Sequence, residues 1–380
     1  MLLNQNKARE LMNAEGIDAL VLAYTENVIN FSGFLHVNSN LIKPRLYYVV
    51  FFADTAKETV FLVPHQDMGT AVRETWIKDV RATAEYPYPG RPEVITDKEA
   101  AVAQVIRDAG LENGTIGFEN VSLGYDVARR LMELLPAATF APASPLIARL
   151  RATKSDEELS RIRKAMHATE AGAYAIRNNI RAGITEAELA DLATKACMDA
   201  GADKVDFVIV GAAENGALIH GQPSDYALQD GDLIRFDLGA SYGAYPGDFA
   251  RTYVVGTTAK DTEAVKIYEA ARAAVEAGIE AIRPGVTAGE IYDAMLDAAK
   301  KFDPEFHREH AGHGLGLEVH EEPMIYKGST FVLEPGMVVM IEAGRYIPGR
   351  GGYQLEDLVL VTETGHELIT TVPRDLVISK

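Results

Sequence analysis

Residues 180–185 read IRAGIT, and residues 282–287 read IRPGVT. The two segments lie 282 − 180 = 102 residues apart, and each follows one long helical pattern and precedes another. Thr185 and Thr287 occupy helix N-cap positions, and apolar strands follow each copy. The C-terminal part of the chain is therefore predicted to form two similar helix–helix–sheet halves, related by a pseudo-twofold axis.

Each predicted half contains one β-hairpin with two carboxylates. In the first, Asp237 lies inside the strand DLIRFDLGA, and Asp248 begins the strand that returns from the turn. In the second, Glu342 and Glu356 have the same relation in MVVMIEAG and YQLEDLVLV. The offsets, 342 − 237 = 105 and 356 − 248 = 108, nearly match the repeat. The axis would therefore bring the four carboxylates together.

Four carboxylates in one buried site require compensation, because burying ionised groups is costly unless their pKa values rise or cations bind. Carboxylate-rich coordination with one imidazole suits Mn, Co, Fe or Zn, and two such ions can lie about 3.5 to 4 Å apart. The imidazole is expected from HAGHGLGLEVHEEP, which contains His310, His313 and His320 among glycines. His313 is the predicted ligand, because glycines flank it on both sides. His320 better suits a role beside the metals or at the transition state.

The chain is long enough for two hydrophobic cores, with 380 residues of which 47% are apolar. Its first third alternates helical and strand patterns, which predicts an α/β layer. This layer closes at a segment with two prolines, after which a long helix begins near Ser155. The predicted fold class is α/β (α+β), with domains at 1–145 and 146–380.

Composition also limits the partners and the compartment. A net charge of −18 argues against nucleic-acid binding and against binding to an anionic membrane. The one cysteine, Cys197, lies in a helical pattern beside apolar residues, so it is predicted to be a core residue. The N-terminal segment lacks the apolar stretch of a signal peptide, and no run of about 18 apolar residues occurs. We expect a cytoplasmic protein without membrane or nucleic-acid partners.

Five motifs resemble those of one family of enzymes. FDLGA, GDFART, GHGLGLEVHEEP, IEAG and LEDLVLVTETG, in this order and spacing, are similar to the pita-bread metallopeptidases, which include prolidase and aminopeptidase P, together with creatinase. The match extends from about 155 to 370, and the preceding domain looks like the creatinase and prolidase type. The resemblance implies a creatinase-like α/β domain followed by a pita-bread domain. It also implies cleavage of Xaa-Pro bonds, as an Xaa-Pro dipeptidase or an aminopeptidase P.

The resemblance assigns a role to each candidate ligand. Asp237 would chelate one metal ion, Asp248 and Glu356 would bridge both ions, and His313 and Glu342 would complete the second. A hydroxide that bridges the metals would attack an amide carbonyl, and Glu342 would shuttle the proton. The implied cofactors are two divalent ions per subunit, manganese foremost, with Co, Zn or Fe as alternatives.

The resemblance also implies three substrate contacts. His220 matches the histidine near the scissile nitrogen, and His320 matches the one that steadies the tetrahedral oxyanion. Their separation, 320 − 220 = 100, places them at nearly equivalent points of the two halves. His36 lies in the part of the N-terminal domain that dimeric relatives project toward the neighbouring subunit's pocket. A small peptide substrate and a homodimer are therefore expected.

Three positions depart from the family pattern. Gln354 stands two residues before Glu356, where prolidases and aminopeptidases P commonly carry arginine. An amide cannot replace a guanidinium, so either the surroundings of Glu356 differ or a contact to an anionic substrate end changes. Ala343 stands where proline is usual, and Gly247 where serine is frequent. These departures leave the five ligands intact and bear on specificity for proline.

The sequence also allows three alternatives. A creatinase-like hydrolase would act on a small non-peptide C–N bond, but creatinase-type sites work without metal and generally lack the full ligand set. A lyase of the same fold would keep the metal and change the reaction. A catalytically inactive binding protein would have lost ligands, and this sequence retains all five.

Overall fold

A computed structural model describes residues 1–35, 47–87, 89–90 and 94–377. The chain forms two compact units, Met1–Arg151 and Ala152–Lys380. Both units combine helices and strands, which confirms the predicted fold class. Among the helices of the described ranges, none has the length and apolar character needed to cross a membrane. His36, the predicted substrate contact of the N-terminal domain, lies outside the described residues.

The N-terminal unit is built on a six-stranded sheet. Its strands are β1 (Ala19–Leu22), β2 (Tyr48–Phe52), β3 (Val60–Pro64), β4 (Asp79–Thr83), β5 (Thr115–Phe118) and β6 (Thr139–Pro142), in the order β4-β3-β2-β1-β5-β6. The helices are α1 (Gln5–Glu15), α2 (Thr25–Ser32), α3 (Met68–Glu74), α4 (Lys98–Asp108), α5 (Tyr125–Leu134) and α6 (Ser144–Ala152). Leu20 and Leu22 pack in one apolar cluster and Ala19 and Val21 in another, because successive side chains point to opposite faces. Both faces are covered, which explains the continuous apolar strands.

Helix α6 belongs to the N-terminal unit by its packing. Leu146, Ile147 and Leu150 join the apolar cluster on one face of the six-stranded sheet. The compact unit therefore continues to Arg151, whereas the boundary predicted from the prolines lies at 145. The long helix that follows begins at Asp156 and carries a Ser155 capping box, as the pattern near Ser155 predicts.

The C-terminal unit contains the two repeated halves. The first is α7 (Asp156–Asn179), α8 (Glu186–Asp199), β7 (Lys204–Ala212), β8 (Leu233–Tyr242), β9 (Tyr245–Pro246) and β10 (Phe249–Val254). The second is α9 (Ala264–Ala281), α10 (Ala288–Ala299), β11 (Gly312–Gly314), β12 (Val338–Ile347), β13 (Gly351–Val361) and β14 (His366–Leu368). Thr185 and Thr287 are the N-caps of α8 and α10, as predicted, and each also forms a capping box. Gly183 and Gly285 before them share a left-handed backbone, with φ of 89° and 87°.

The two halves meet through their sheets. One sheet has the order β10-β8-β7 with β9 paired to β8, and the other has the order β11-β12-β13-β14. Thr252 of β10 donates its hydroxyl to the Gln354 carbonyl of β13 at 3.2 Å and accepts from the Gln354 backbone N–H at 2.9 Å. The fully buried Arg251 donates to the Glu356 carbonyl and the Asp357 carboxylate. These contacts hold the two hairpins side by side.

Candidate metal centre

The five predicted ligands converge on one cavity of the C-terminal unit. Asp237 lies inside β8 opposite Ala250, and Asp248 immediately precedes β10. Glu342 and Glu356 are directly opposite each other in the β12–β13 hairpin, and His313 lies in β11. All five line a cavity of about 980 Å³. The convergence follows from the paired hairpins, because each contributes two carboxylates to the same wall.

The donor atoms of Asp237, Asp248, His313 and Glu356 lie close enough together for metal coordination, whereas Glu342 belongs to neither cluster of such atoms among the described residues. Ligand atoms of Asp237, Asp248 and Glu356 all lie within 4.8 Å of one another, and the same limit holds for Asp248, His313 and His320. His313 Nδ1 donates to the Gly314 carbonyl at 3.1 Å, because a carbonyl can only accept. The other ring nitrogen, Nε2, then carries a lone pair and lies 3.5 Å from Asp248 Oδ2. Asp248 is the residue common to both groups.

Three buried ligand atoms have no hydrogen-bond partner among the described residues: Asp237 Oδ1, His313 Nε2 and Glu356 Oε2. Buried polar atoms in native proteins almost always have a partner, and an unpaired one destabilises the fold. Carboxylate oxygens and one neutral imidazole nitrogen are a donor set that suits divalent cations such as Mn or Zn. The residues present therefore fit a metal centre.

The carboxylates differ in their proton affinity. Burial raises the pKa of Asp237 to about 6, while the Arg235 charge and a Gln354 hydrogen bond oppose the shift. Burial and neighbouring carboxylates raise the pKa values of Asp248 and Glu356 well above their usual range. Burial would also raise the pKa of Glu342, but a hydrogen bond from His310 and the Arg308 charge outweigh it, and that pKa is lowered. Without metal, burial and mutual repulsion therefore favour the protonated forms of Asp237, Asp248 and Glu356.

In the protein without metal, the buried carboxyl groups are expected to contribute less stability as pH rises above about 4, the ordinary pKa of a carboxyl group. Asp248 and Glu356 have raised folded-state pKa values, so their stabilising contribution is present at low pH and is lost as pH rises through those values. Burial lowers the pKa of His313 to about 4, so its opposing effect is confined to pH below 6.5. Bound cations would balance the carboxylates instead of protons. The gain in melting temperature on adding Mn²⁺ to chelator-treated protein should therefore be larger at pH 7 than at pH 5, on either side of the Asp237 pKa of about 6, and an equal gain would contradict this.

The predicted substrate histidines line the same cavity. His320 is exposed and stacks on His313, with ring centroids 3.9 Å apart and an interplanar angle of 27°. Burial lowers the pKa of His320, which favours the neutral ring. His220 is exposed at the cavity lining, as is expected of a group that contacts substrate.

Two arginines of the site were not predicted from the sequence. Arg308 donates to Glu342 Oε1 at 3.0 Å, and His310 Nδ1 lies 2.8 Å from the same oxygen. Arg235 is fully buried in β8, two residues before Asp237. The position of Arg235 within the apolar strand LIRFD could have marked it as a residue of the site, because a buried guanidinium needs several hydrogen-bond acceptors.

The structure shows the surroundings of Gln354 and Gly247, two positions that depart from the family pattern. Gln354 is buried and donates to Asp237 Oδ2 at 3.0 Å and to Glu356 Oε1 at 2.6 Å, so it contacts two candidate ligands directly. A Cβ atom at Gly247 would collide with the Thr169 hydroxyl and approach the Ala165 carbonyl. Serine at this position would therefore require the Thr169 side chain to move or to be smaller.

Comparison with known proteins identifies two matching families. Residues 160–363 match "Metallopeptidase family M24", and residues 5–153 match "Creatinase/Prolidase N-terminal domain". The two matches confirm the resemblance that the five motifs indicated.

Individual relatives agree with these matches. The chain is 36% identical over 276 residues to the probable dipeptidase PepE of Mycobacterium tuberculosis, covering 71% of this chain and 73% of that protein. It is 31% identical to the Xaa-Pro dipeptidase of Pyrococcus furiosus, covering 97% of this chain and 98% of that protein. The solved structure of an Xaa-Pro dipeptidase from Bacillus anthracis has a TM-score of 0.84 and 28% identity, with 98% of this chain and 99% of that chain covered.

Proposed function

We propose a function for this chain, which belongs to metallopeptidase family M24 and carries the N-terminal domain of creatinases and prolidases. The chain is an Xaa-Pro dipeptidase that depends on two metal ions. The observation that carries the proposal is the set of buried, unpaired donor atoms on Asp237, His313 and Glu356 beside Asp248. Similarity to an Xaa-Pro dipeptidase along nearly the whole chain supports the choice of substrate. A creatinase-like reaction is not favoured, because such sites work without metal and the five ligand candidates are all present.

The proposed ligands have distinct roles. Asp237 would hold one ion, Asp248 and Glu356 would bridge both, and His313 and Glu342 would complete the second. Bound divalent ions would supply an activated water and polarise the scissile carbonyl. The inclusion of Asp248 in both donor groups supports its bridging role.

The remaining roles concern protons and substrate. Glu342 would accept the proton from water; its lowered pKa keeps it ionised at neutral pH but also makes it a weaker base. His320 would donate to the developing oxyanion, and His220 would bind near the scissile nitrogen. Both line the cavity that contains the ligands, which supports these assignments.

The proposed function is tested by measuring the metal content of the protein and by comparing its hydrolysis of dipeptides and of a longer peptide. Protein purified without chelator should contain about two equivalents of metal, as expected of a two-metal site. With added Mn²⁺ or Co²⁺ it should hydrolyse Ala-Pro and Met-Pro faster than a longer Xaa-Pro peptide. A faster reaction on the longer peptide would make it an aminopeptidase P instead. Two equivalents of metal with no cleavage of either substrate would disprove the peptidase assignment.

The native metal, the assembly and the compartment are further proposals. Manganese is proposed because a site dominated by carboxylates suits a harder cation than zinc. A homodimer is proposed from the family resemblance, and gel filtration with light scattering would test it. A cytoplasmic location is proposed because Cys197 is buried and unpaired, which is compatible with a reducing compartment.

A further inference from the structure

Gln354 connects the two halves of the candidate metal centre. One amide group donates to Asp237 Oδ2 in the first half at 3.0 Å and to Glu356 Oε1 in the second at 2.6 Å. Both contacted oxygens belong to carboxylates whose other oxygens, Asp237 Oδ1 and Glu356 Oε2, have no hydrogen-bond partner among the described residues. Each carboxylate thus has one oxygen bound by Gln354 and one left for a cation.

Arg235 determines which way the Gln354 amide points. Its NH1 donates to Gln354 Oε1 at 2.7 Å. A guanidinium can only donate and an ionised carboxylate can only accept, so the amide oxygen must face Arg235 and the amide nitrogen must face the carboxylates. A flipped amide would lose all three bonds.

Arg235 is itself held by backbone carbonyls. Its Nε donates to the Gly216 carbonyl at 3.1 Å, and its NH2 donates to the carbonyls of Leu218 and Ile219, both at 2.9 Å. The Arg235 side chain is fully buried, and these hydrogen bonds restrict rotation of its guanidinium group. Ile219 immediately precedes His220, so the same guanidinium also anchors the segment that presents this histidine.

We propose that Arg235 and Gln354 form a positioning relay, in which Arg235 orients the Gln354 amide and Gln354 selects the oxygens of Asp237 and Glu356 that face the metal ions. Neither residue is a ligand in this arrangement. The relay raises metal affinity because the two carboxylates are held in the binding geometry before a cation arrives. The inference rests on the proposed metal centre and not on the identity of the substrate.

The test measures Co²⁺ binding to chelator-treated, dialysed protein without substrate, so a failure of the peptidase assignment would not affect it. Gln354→Met keeps the volume of the side chain and removes both N–H donors. Its Co²⁺ affinity should fall about 10- to 100-fold, the loss typical of residues that orient metal ligands. The visible absorption of bound Co²⁺ should also change, since the carboxylates are free to turn. Wild-type affinity and spectrum in Gln354→Met would overturn the relay.

Tyr353→Phe is the matched control. Tyr353 is the buried neighbour of Gln354 in β13, and its hydroxyl contacts Asp261 at 3.4 Å, outside the candidate centre. This variant should bind Co²⁺ with wild-type affinity and spectrum. An equal loss of affinity in Tyr353→Phe would attribute the effect to general disturbance of β13 and would also overturn the proposal.

A double-mutant cycle tests whether Arg235 acts through Gln354. Arg235→Lys keeps the positive charge and loses the planar guanidinium with its several donors. It should therefore weaken Co²⁺ binding in the wild-type background and cause little further loss of affinity in Gln354→Met. If the loss of Co²⁺ affinity in the double variant equals the product of the losses in the two single variants, the two residues act independently. If Gln354→Met does not fold, Arg235→Lys decides alone: a folded variant with wild-type Co²⁺ affinity overturns the relay.

Discussion

Asp248→Ala should abolish turnover and reduce bound metal to at most one ion per chain. Asp248 is buried, it belongs to both groups of donor atoms, and its Oδ2 lies 3.5 Å from His313 Nε2. Its removal therefore deprives both proposed ions of an oxygen. Losing even a residue that orients metal ligands typically costs about 10- to 100-fold in activity, so removal of a bridging ligand should exceed about 100-fold.

The melting temperature of Asp248→Ala shows whether its loss of activity comes from loss of metal or from unfolding. Burial raises the pKa of Asp248 well above its usual range, so its carboxylate is unfavourable in the metal-free protein at neutral pH. Metal-free Asp248→Ala should therefore melt no lower than the metal-free wild type. Glu309→Ala is the control, because Glu309 lines the same cavity without belonging to either donor group. Elemental analysis gives the metal content of each variant, and Ala-Pro hydrolysis gives its rate. A normal rate in Asp248→Ala would show that the centre is misassigned.

His320→Ala should lower kcat about 100- to 1,000-fold, the range for removal of one oxyanion donor, and should leave metal content unchanged. The expectation requires that His320 is not itself a ligand, although its ring nitrogen lies within 4.8 Å of ligand atoms of Asp248 and His313. Its exposure and its stacking on His313 favour a role at the cavity side of the centre. KM should change much less than kcat, because the contact forms mainly in the transition state.

His320→Gln provides the conservative comparison. A glutamine side chain retains an N–H donor, so part of the lost kcat should return, whereas a glutamine would replace an imidazole ligand poorly. Elemental analysis of both variants gives the second readout. Loss of one metal equivalent in His320→Ala would identify His320 as a ligand and would rule out the assigned oxyanion role.

Much of the second unit could be predicted because its signals are local. Thr185 and Thr287 both form the capping boxes that their sequence surroundings indicate. Similarly, a carboxylate in an apolar strand is unusual enough to mark Asp237 and Glu342 as candidates. The matching offsets between the two hairpins then predicted that these residues lie close together, without any measured distance. The domain boundary was harder to place, since a proline marks a turn but does not show which core helix α6 packs against.

Contacts between distant segments could not be predicted in this way. Arg235 and Gln354 are 119 residues apart, and Arg308 meets Glu342 across 34 residues. A long, flexible side chain can reach many acceptors, and no local pattern indicates which one the folded chain presents. The collision between a Cβ at Gly247 and Thr169 likewise depends on how α7 packs against the first hairpin.

The paired halves, the four carboxylates and the histidine could be predicted from the amino-acid sequence, because periodicity and capping depend on neighbouring residues and the repeat offset can be counted along the chain. The orientation of each ligand, by contrast, depends on contacts that exist only in the folded chain. Asp237 and Glu356 could each present either oxygen to a cation, and the Gln354 amide, aligned by Arg235, binds one oxygen of each. That choice depends on hydrogen-bond directions within a buried site, which arise only when strands from both halves are packed together.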